Sequence, residues 1–324
     1  MVIEPATMVC LICVNLGDIA SWNQAQFLLN KFEWKNLGTV EGKGAHSYES
    51  VRMWLFENGI LFEDYIGKRW HAETGEIVDE IIFPSRHSAS SGKPSLTLHP
   101  IGVPHLELNE VPPFGGKSGE APPPSTRIAE WWRLLQSKAA DTKLDEPFEL
   151  TLEVTHHGPY IEVPSLFIEI GSTNQTWSHL GAAELLADII AKGLGMNGDG
   201  GLGEWKVEKH SGQLVVVTLG GGHYAPRANK LGSMQGIWIG HMLATYALPF
   251  IKPEHEGEMP GGTWKQAINA ALKSTQQSFP GGNIVCSMDK KAFRGWQRQG
   301  IRDHLQSIGI PLLTTKQITE LLNQ

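Results

Sequence analysis

The 324-residue sequence holds only three cysteines, Cys10, Cys13 and Cys286. That is too few for a disulfide framework and fits a reducing compartment. No apolar run approaches the roughly 18 residues a membrane span needs. Charge is also scarce: 19% of residues carry it, against about 25% in typical globular chains, which excludes a disordered tail. Positive charge is the scarcer sign. Twenty-seven Lys+Arg against 34 Asp+Glu give −7, so bulk charge does not bind this chain to nucleic acid. The first base is Lys31, and Glu4 lies ahead of it; neither a secretory signal nor an Arg-rich transit peptide is expected. The sequon Asn174-Gln175-Thr176 is then idle, and a cytoplasmic protein, with the nucleus a second place for it, is expected. A Gly-x-Ser-x-Gly elbow is missing, which argues against a serine hydrolase.

What is present is a core-forming composition, 41% hydrophobic, over a length suited to one large domain. Cys10 and Cys13 lie in the apolar run Met8–Val14; three positions apart on a strand they point to opposite faces and read as buried hydrophobes. Further strands are expected at Val78–Phe83, Phe148–Thr155, Ser165–Ile170, Leu214–Leu219 and 283–287, with a β-rich stretch around Trp54, Phe56 and Ile60–Phe62. Helices are expected near 22–31, at Ile128–Ala139 capped by Ser125 or Thr126, over 178–192, 264–277 and 290–308, and at the end after a short strand 311–314. Apolar strands alternating with helices predict a three-layer α/β/α fold with a mixed, largely parallel central sheet. Residues 111–126 hold five prolines and three glycines and read as an ordered surface loop, since both flanks belong to one core. One domain over 1–324, ending in a basic helical part over about 264–324, is the expected organisation.

Three histidine-bearing segments share one expected address. His87, the pair His156 and His157, and His223 each follow a predicted strand, where ligands bind in open α/β sheets. Imidazoles brought together can take a proton from water at neutral pH, or hold zinc together with Glu153 or Glu169. Glu153 lies three positions before His156, so strand alternation would turn it away. Gly220, Gly221 and Gly222 precede His223 and Tyr224; glycines there let backbone N–H groups approach a ligand. Gly171, Ser172 and Thr173, between a strand and a helix, offer an anion site or a plain cap. Gly198–Gly203 fits G-x-G-x-x-G but follows a helix, the wrong order for a dinucleotide site, and Gly116-Lys117-Ser118 lacks the upstream glycine of a P-loop.

From Cys286 onward six bases face three acids, a tail of +3 on a body of −10. Lys290, Arg294, Arg298 and Arg302 recur every fourth residue after Asp289. On one helix they would form a cationic stripe of roughly 18 Å, suited to a phosphate backbone or simply to solvent.

Several ordered motifs resemble one family. Ser85-Arg86-His87-Ser88, Leu96-Thr97-Leu98-His99-Pro100, Leu152–Pro159, Phe167–Thr173 and Gly220–Pro226 are similar to the archaeal and plant type of D-aminoacyl-tRNA deacylase. Ala72–Glu80, Gly261–Trp264 and Phe279–Gly282 resemble the plant branch. The resemblance implies hydrolysis of the ester between a D-amino acid and the tRNA 3′ end, including aldehyde-modified adducts linked to ethanol tolerance. It also implies a zinc-dependent monomer whose fold is related to phosphorylases and peptidyl-tRNA hydrolases. With the residue reading, it places catalysis on His87, His156, His157 and His223 and metal ligation on His156, His157, His223 and Glu169. It gives substrate contacts to Arg86 (or Arg127), the two glycine segments, Tyr224 and the basic stripe. A nucleoside phosphorylase, a metallopeptidase, or a silent RNA-binding protein are the alternatives.

Overall fold

The computed structural model describes residues 7–255 and 257–323. Its strands are β1 Met8–Asn15, β2 Lys35–Val40, β3 Lys43–Tyr48, β4 Val51–Phe56, β5 Ile77–Ser88, β6 Ser95–His99, β7 Glu149–Leu152, β8 Ser165–Ser172, β9 Leu214–Leu219, β10 Ile237–Leu243 and β11 Asn283–Met288. They form an eight-stranded sheet in the order β2-β3-β4-β1-β5-β8-β6-β7 and a three-stranded sheet in the order β10-β9-β11. The larger sheet is mixed: β1 pairs in parallel with β4 and β5, β5 with β8 and β6 with β7, whereas β6 runs against β8. The smaller sheet is wholly parallel.

Strand alternation splits the core into layers. On β1, Ile12 and Val14 face the helices Ile19–Lys31, Ile128–Thr142 and Leu180–Gly193, while Val9, Leu11 and Cys13 face Trp54 and the helix Ile66–Thr74. Cys10 packs toward the first cluster and Cys13 into the second, as the three-residue spacing requires. Val216 of β9, Ile239 of β10 and Val285 of β11 join the first cluster too, so both sheets share one core. The outer face of the small sheet is covered by the helices Trp264–Ser278 and Gly295–Ser307. Gly193 ends its helix against the Trp131 ring, where a Cβ would come within 2.1 Å of the indole; any side chain there would overpack the core.

Several expectations need correction. A second sheet exists because β10, not anticipated, pairs with β9. β6 and the helices Ile66–Thr74 and Pro226–Gly232 were also unanticipated, and Ile60–Phe62 is a 3₁₀ turn rather than strand. Residue Arg127, not Ser125 or Thr126, is the N-cap of the helix at Ile128; the Ser125 hydroxyl accepts from the Arg127 N–H from just outside it. The segment 111–126 is ordered, but Ala121, Ser125 and Thr126 are buried, so only its first half is a surface loop. The expected helix over 290–308 is a 3₁₀ turn, Lys290–Ala292, and a separate helix, Gly295–Ser307. The strand expected at 311–314 shrinks to a single bridge between Leu312 and Cys286.

Candidate active site

The register of β5, β8 and β6 builds the floor of the site. His87, Gly171 and Ser95 are level with one another, as are Ser85, Glu169 and Thr97, and Phe83, Phe167 and His99. Residues level in paired strands share a face, and so do residues two apart along each strand. His87, Glu169 and His99 therefore stand on one face of the sheet, where the His99 ring stacks on Phe167 and Phe167 on Phe83. The expectation of one sheet edge is corrected: β6 and β7 run against β5 and β8, so their carboxyl ends point the other way. The site is a sheet face, and Gly171 leaves room on it. A Cβ there would lie 2.9 Å from the His87 ring.

The roof comes from the segment after β7 and from the small sheet. The ladder ends at Leu152, so alternation no longer governs the next residues. The Glu153 N–H donates to Leu98 O, the Val154 N–H to His223 O and the Thr155 N–H to Met242 O. This stitching between sheets turns the Glu153 carboxylate inward, which corrects its expected outward aim. Its Oε1 lies 3.1 Å from His87 Nδ1, and its Oε2 lies 2.9 Å from His223 Nε2 and 3.7 Å from His156 Nε2. Glu169 reaches His87 Nδ1 at 3.6 Å and His99 Nε2 at 3.7 Å. Five imidazoles and two buried carboxylates thus form one centre.

The electrostatics divide these groups. Burial opposes charge on His87, but Glu153 and Glu169 outweigh it and raise its pKa to about 10. Burial would raise Glu153, yet the hydrogen bonds with His223 and His87 hold it well below the usual carboxylate range. Burial, reinforced by His99, lowers His156 well below its ordinary value and His157 to about 4. One imidazolium between two carboxylates therefore stands beside two neutral imidazoles.

Those neutral rings suit a metal. Nδ1 lies 2.7 Å from Val154 O in His156, 2.6 Å from Gly158 O in His157 and 3.1 Å from Pro100 O in His99. A carbonyl only accepts, so each Nδ1 carries a hydrogen, and Nε2 of the neutral rings His156 and His157 keeps its lone pair. Ligand atoms of His99, His156 and His157 lie within 4.8 Å of one another, and His99 Nε2 is buried without a hydrogen-bond partner. Three imidazoles with oriented second nitrogens match a zinc donor set. Glu169 favours a proton on His99, and a cation would displace that proton. His223 belongs to a different group, with His87 and Glu153, and Glu169 to a third, with His99 and Glu153. The expected ligand set is thereby redrawn. His99 stands in a family motif but is not among the expected site residues, although Leu96-Thr97-Leu98-His99 alternates apolar and polar residues, a strand signal that aims Thr97 and His99 together.

Other expected residues divide sharply. The Gly220 N–H donates to Leu243 O and the Gly221 N–H to Thr245 Oγ1, so neither is free to hold an oxyanion. Gly220 is needed for its φ of +92° and because a Cβ would strike the Phe293 ring at 2.5 Å. Gly171 and Ser172 lie inside β8, where Ser172 Oγ donates to Lys93 O, and Thr173 merely caps the short helix Asn174–Trp177. Tyr224 packs beside His87. Arg127 is spent on Glu80, Gly193 O and Leu202 O. Arg86 is exposed and stacks over Trp177 at 4.8 Å. The basic stripe does not exist as one helix face: Arg294 is an N-cap, and Arg298 donates to Lys290 O and Phe293 O.

Above the centre opens a cavity of about 490 Å³, lined by His87, His156, His157, His223, Glu169 and Arg86 together with Leu61, Phe62 and Phe114. Phe62 and Phe114 are mostly exposed at its mouth. The volume is that of a small-ligand site. Larger hollows of about 650 and 560 Å³ lie among the C-terminal elements and contain no histidine of this centre.

Comparison with known proteins agrees with this picture. The family model described as D-aminoacyl-tRNA deacylase matches residues 74–313. A D-aminoacyl-tRNA deacylase of Arabidopsis thaliana is 43% identical, covering 92% of this chain and 96% of that protein. Deacylases of Pyrococcus furiosus and Methanosarcina barkeri are 31% and 30% identical, covering 91% and 98% of this chain and 96% and 92% of their own. The crystal structure of a conserved protein of unknown function, AF0625, has the same fold, with a TM-score of 0.77 at 23% identity over 98% of both chains. The chain belongs to the D-aminoacyl-tRNA deacylase family.

Proposed function

We infer that this chain hydrolyses the ester between a D-amino acid and the 3′ end of tRNA, releasing both. The observation that carries this reading is the convergence of five imidazoles and two buried carboxylates beneath one cavity, in a chain of this family. An aminoacyl ester is already activated, so water suffices as nucleophile and no side-chain nucleophile is needed.

His223 is the proposed general base. Its Nε2 is held by Glu153 at 2.9 Å, and its Nδ1, 3.1 Å from the Tyr246 hydroxyl, lies toward solvent. A proton taken from water at Nδ1 leaves an imidazolium that Glu153 stabilises, the role a carboxylate plays behind histidine in hydrolytic triads. His87 keeps Glu153 ionised and oriented for that task. Of the three glycine amides only the Gly222 N–H lacks a partner among the described residues, and we assign it to the developing oxyanion. Arg86 is placed to meet the terminal phosphate, and Leu61, Phe62 and Phe114 to cover apolar parts of the aminoacyl-adenosine.

His99, His156 and His157 would hold zinc. Bound there, the ion would acidify water and polarise the ester carbonyl. The resemblance further supports a monomer and aldehyde-modified D-aminoacyl adducts among the substrates, and the three scattered cysteines suit a cytoplasmic and secondarily nuclear location.

The deciding assay is deacylation of matched D- and L-aminoacyl-tRNA by purified protein, where D-selective turnover is expected. Folded His223→Ala and His156→Ala proteins should lose about 10²- to 10⁴-fold in rate; wild-type rates in both would sink the assignment. Full activity after chelation, with metal analysis showing no zinc, would remove zinc from the mechanism.

A further inference from the structure

A second hollow, of about 560 Å³, opens at the carboxyl end of β11. Its lining includes five cations, Arg227, Lys290, Lys291, Arg302 and Lys316, against one acid, Asp289. That is a local charge of about +4 on a chain of −7. Among the described residues, no carboxylate lies within 4.0 Å of Lys290, Lys291 or Arg302, and Lys316 reaches only the exposed Glu320. Asp289 Oδ1 accepts from the Lys291 N–H at 3.0 Å and so shapes the turn, and it reaches Arg227 Nη2 only at 3.9 Å. Arg227 is held between Ser287 Oγ at 3.4 Å and Thr315 Oγ1 at 3.3 Å, while its Nε is buried without a hydrogen-bond partner. Five cations around one hollow, three of them with no carboxylate within 4.0 Å among the described residues and Arg227 held in place by two hydroxyls, are what a phosphate group requires.

The hollow is next door to the centre already described. Leu219 and Met288 are level on the paired strands β9 and β11, about 5 Å apart. Gly220 packs on Ala292 and Phe293, just past the cationic turn. Arg227 follows His223 by four residues, a separation of at most about 14 Å between Cα atoms.

We propose that this hollow binds backbone phosphates of the substrate's single-stranded 3′ end, upstream of the ester held beneath His223. The proposal rests on the deacylase reading above and adds a second anchoring point, with Arg227, Lys291 and Lys316 as new contacts. Lys290 and Arg302 of the supposed stripe take part as two walls of this pocket rather than as steps along a helix.

The test compares D-aminoacyl-tRNA with D-aminoacyl adenosine, which keeps the ester and has no phosphate, over about 50–200 mM salt. Wild-type protein should favour the tRNA ester, with a preference that shrinks as salt rises. In K291Q/K316Q protein, kcat/KM for the tRNA ester should fall roughly tenfold at low salt, mainly through KM. The slope of its logarithm against that of salt should become shallower by about 0.7 per cation removed. A wild-type slope in both K291Q/K316Q and R302Q proteins would overturn the pocket. So would inorganic phosphate inhibiting cleavage of both substrates beyond chloride of equal ionic strength, which would assign the hollow to a free anion. Failure of wild-type protein to cleave either ester would instead overturn the deacylase reading.

Discussion

Glu153 is the residue on which the charge arrangement of the centre turns, because its two oxygens serve three imidazoles. Glu153→Gln keeps the shape but removes the anion that sustains His87 and backs His223. Deacylation by that variant should fall by about 10² or more, and the lower limb of its pH–rate profile should move, a shift a purely structural defect would not produce. The sequence exposed His87, His156, His157 and His223 because each segment follows a predicted strand. It hid His99 and misplaced Glu153 for one physical reason: both depend on where a strand stops. β6 is so short that His99 is its last residue, and β7 ends three residues before the expected Thr155. His99 yields its own expectation. His99→Asn should bind zinc at least about 10- to 100-fold more weakly, read by equilibrium dialysis of folded protein. Unchanged binding would exclude His99 as a ligand.

At the scale of elements, alternation of apolar strands with helices was enough to specify the three-layer core, and the strand Leu214–Leu219 matches its expected bounds. Patterning does not reveal which strand pairs with which, so the small sheet and the antiparallel β6 came only with the structure. The predicted long helix at 290–308 failed at Phe293, whose ring is buried against Gly220 and Phe250. Packing of that ring outweighs four-residue periodicity, and Arg298 then satisfies the freed carbonyls of Lys290 and Phe293. Gly220 is the hinge of this arrangement. Gly220→Ala would force φ of +92° on an alanine and drive its methyl into Phe293, a combined cost of about 2–4 kcal/mol. Urea unfolding should show the loss as a lower midpoint with unchanged slope. Deacylation should fall as well, because the same turn sets His223. A variant of wild-type stability would show that the β9 turn repacks freely.

For the whole molecule, the buried histidines give opposite dependences on the two sides of neutrality. Folded His157 and His241 are lowered by burial to about 4 and about 3, from 6.5. Between those values and 6.5 the unfolded chain binds more protons, so stability is fully present above about pH 6.5 and is lost on acidification. Two such groups give a slope of up to about 2.7 kcal/mol per pH unit. His87 has the reverse sign, since its folded pKa of about 10 exceeds 6.5. Its contribution is complete below pH 6.5 and drains away as pH rises toward 10. Metal-free protein should therefore be most stable near pH 6–7. His241 can be tested apart from the proposed ligands. It bonds Thr155, Ser274 and Pro122 O deep in the joint between the sheets. His241→Asn should flatten the acid limb by one proton, so its stability loss relative to wild type should be largest at pH 7 and shrink toward pH 5. Urea midpoints at pH 5, 6, 7 and 8 read this directly. An acid limb of unchanged steepness in the variant would mean that His241 is protonated in the fold, and that the joint holding Thr155 and His156 is wetter than its burial implies.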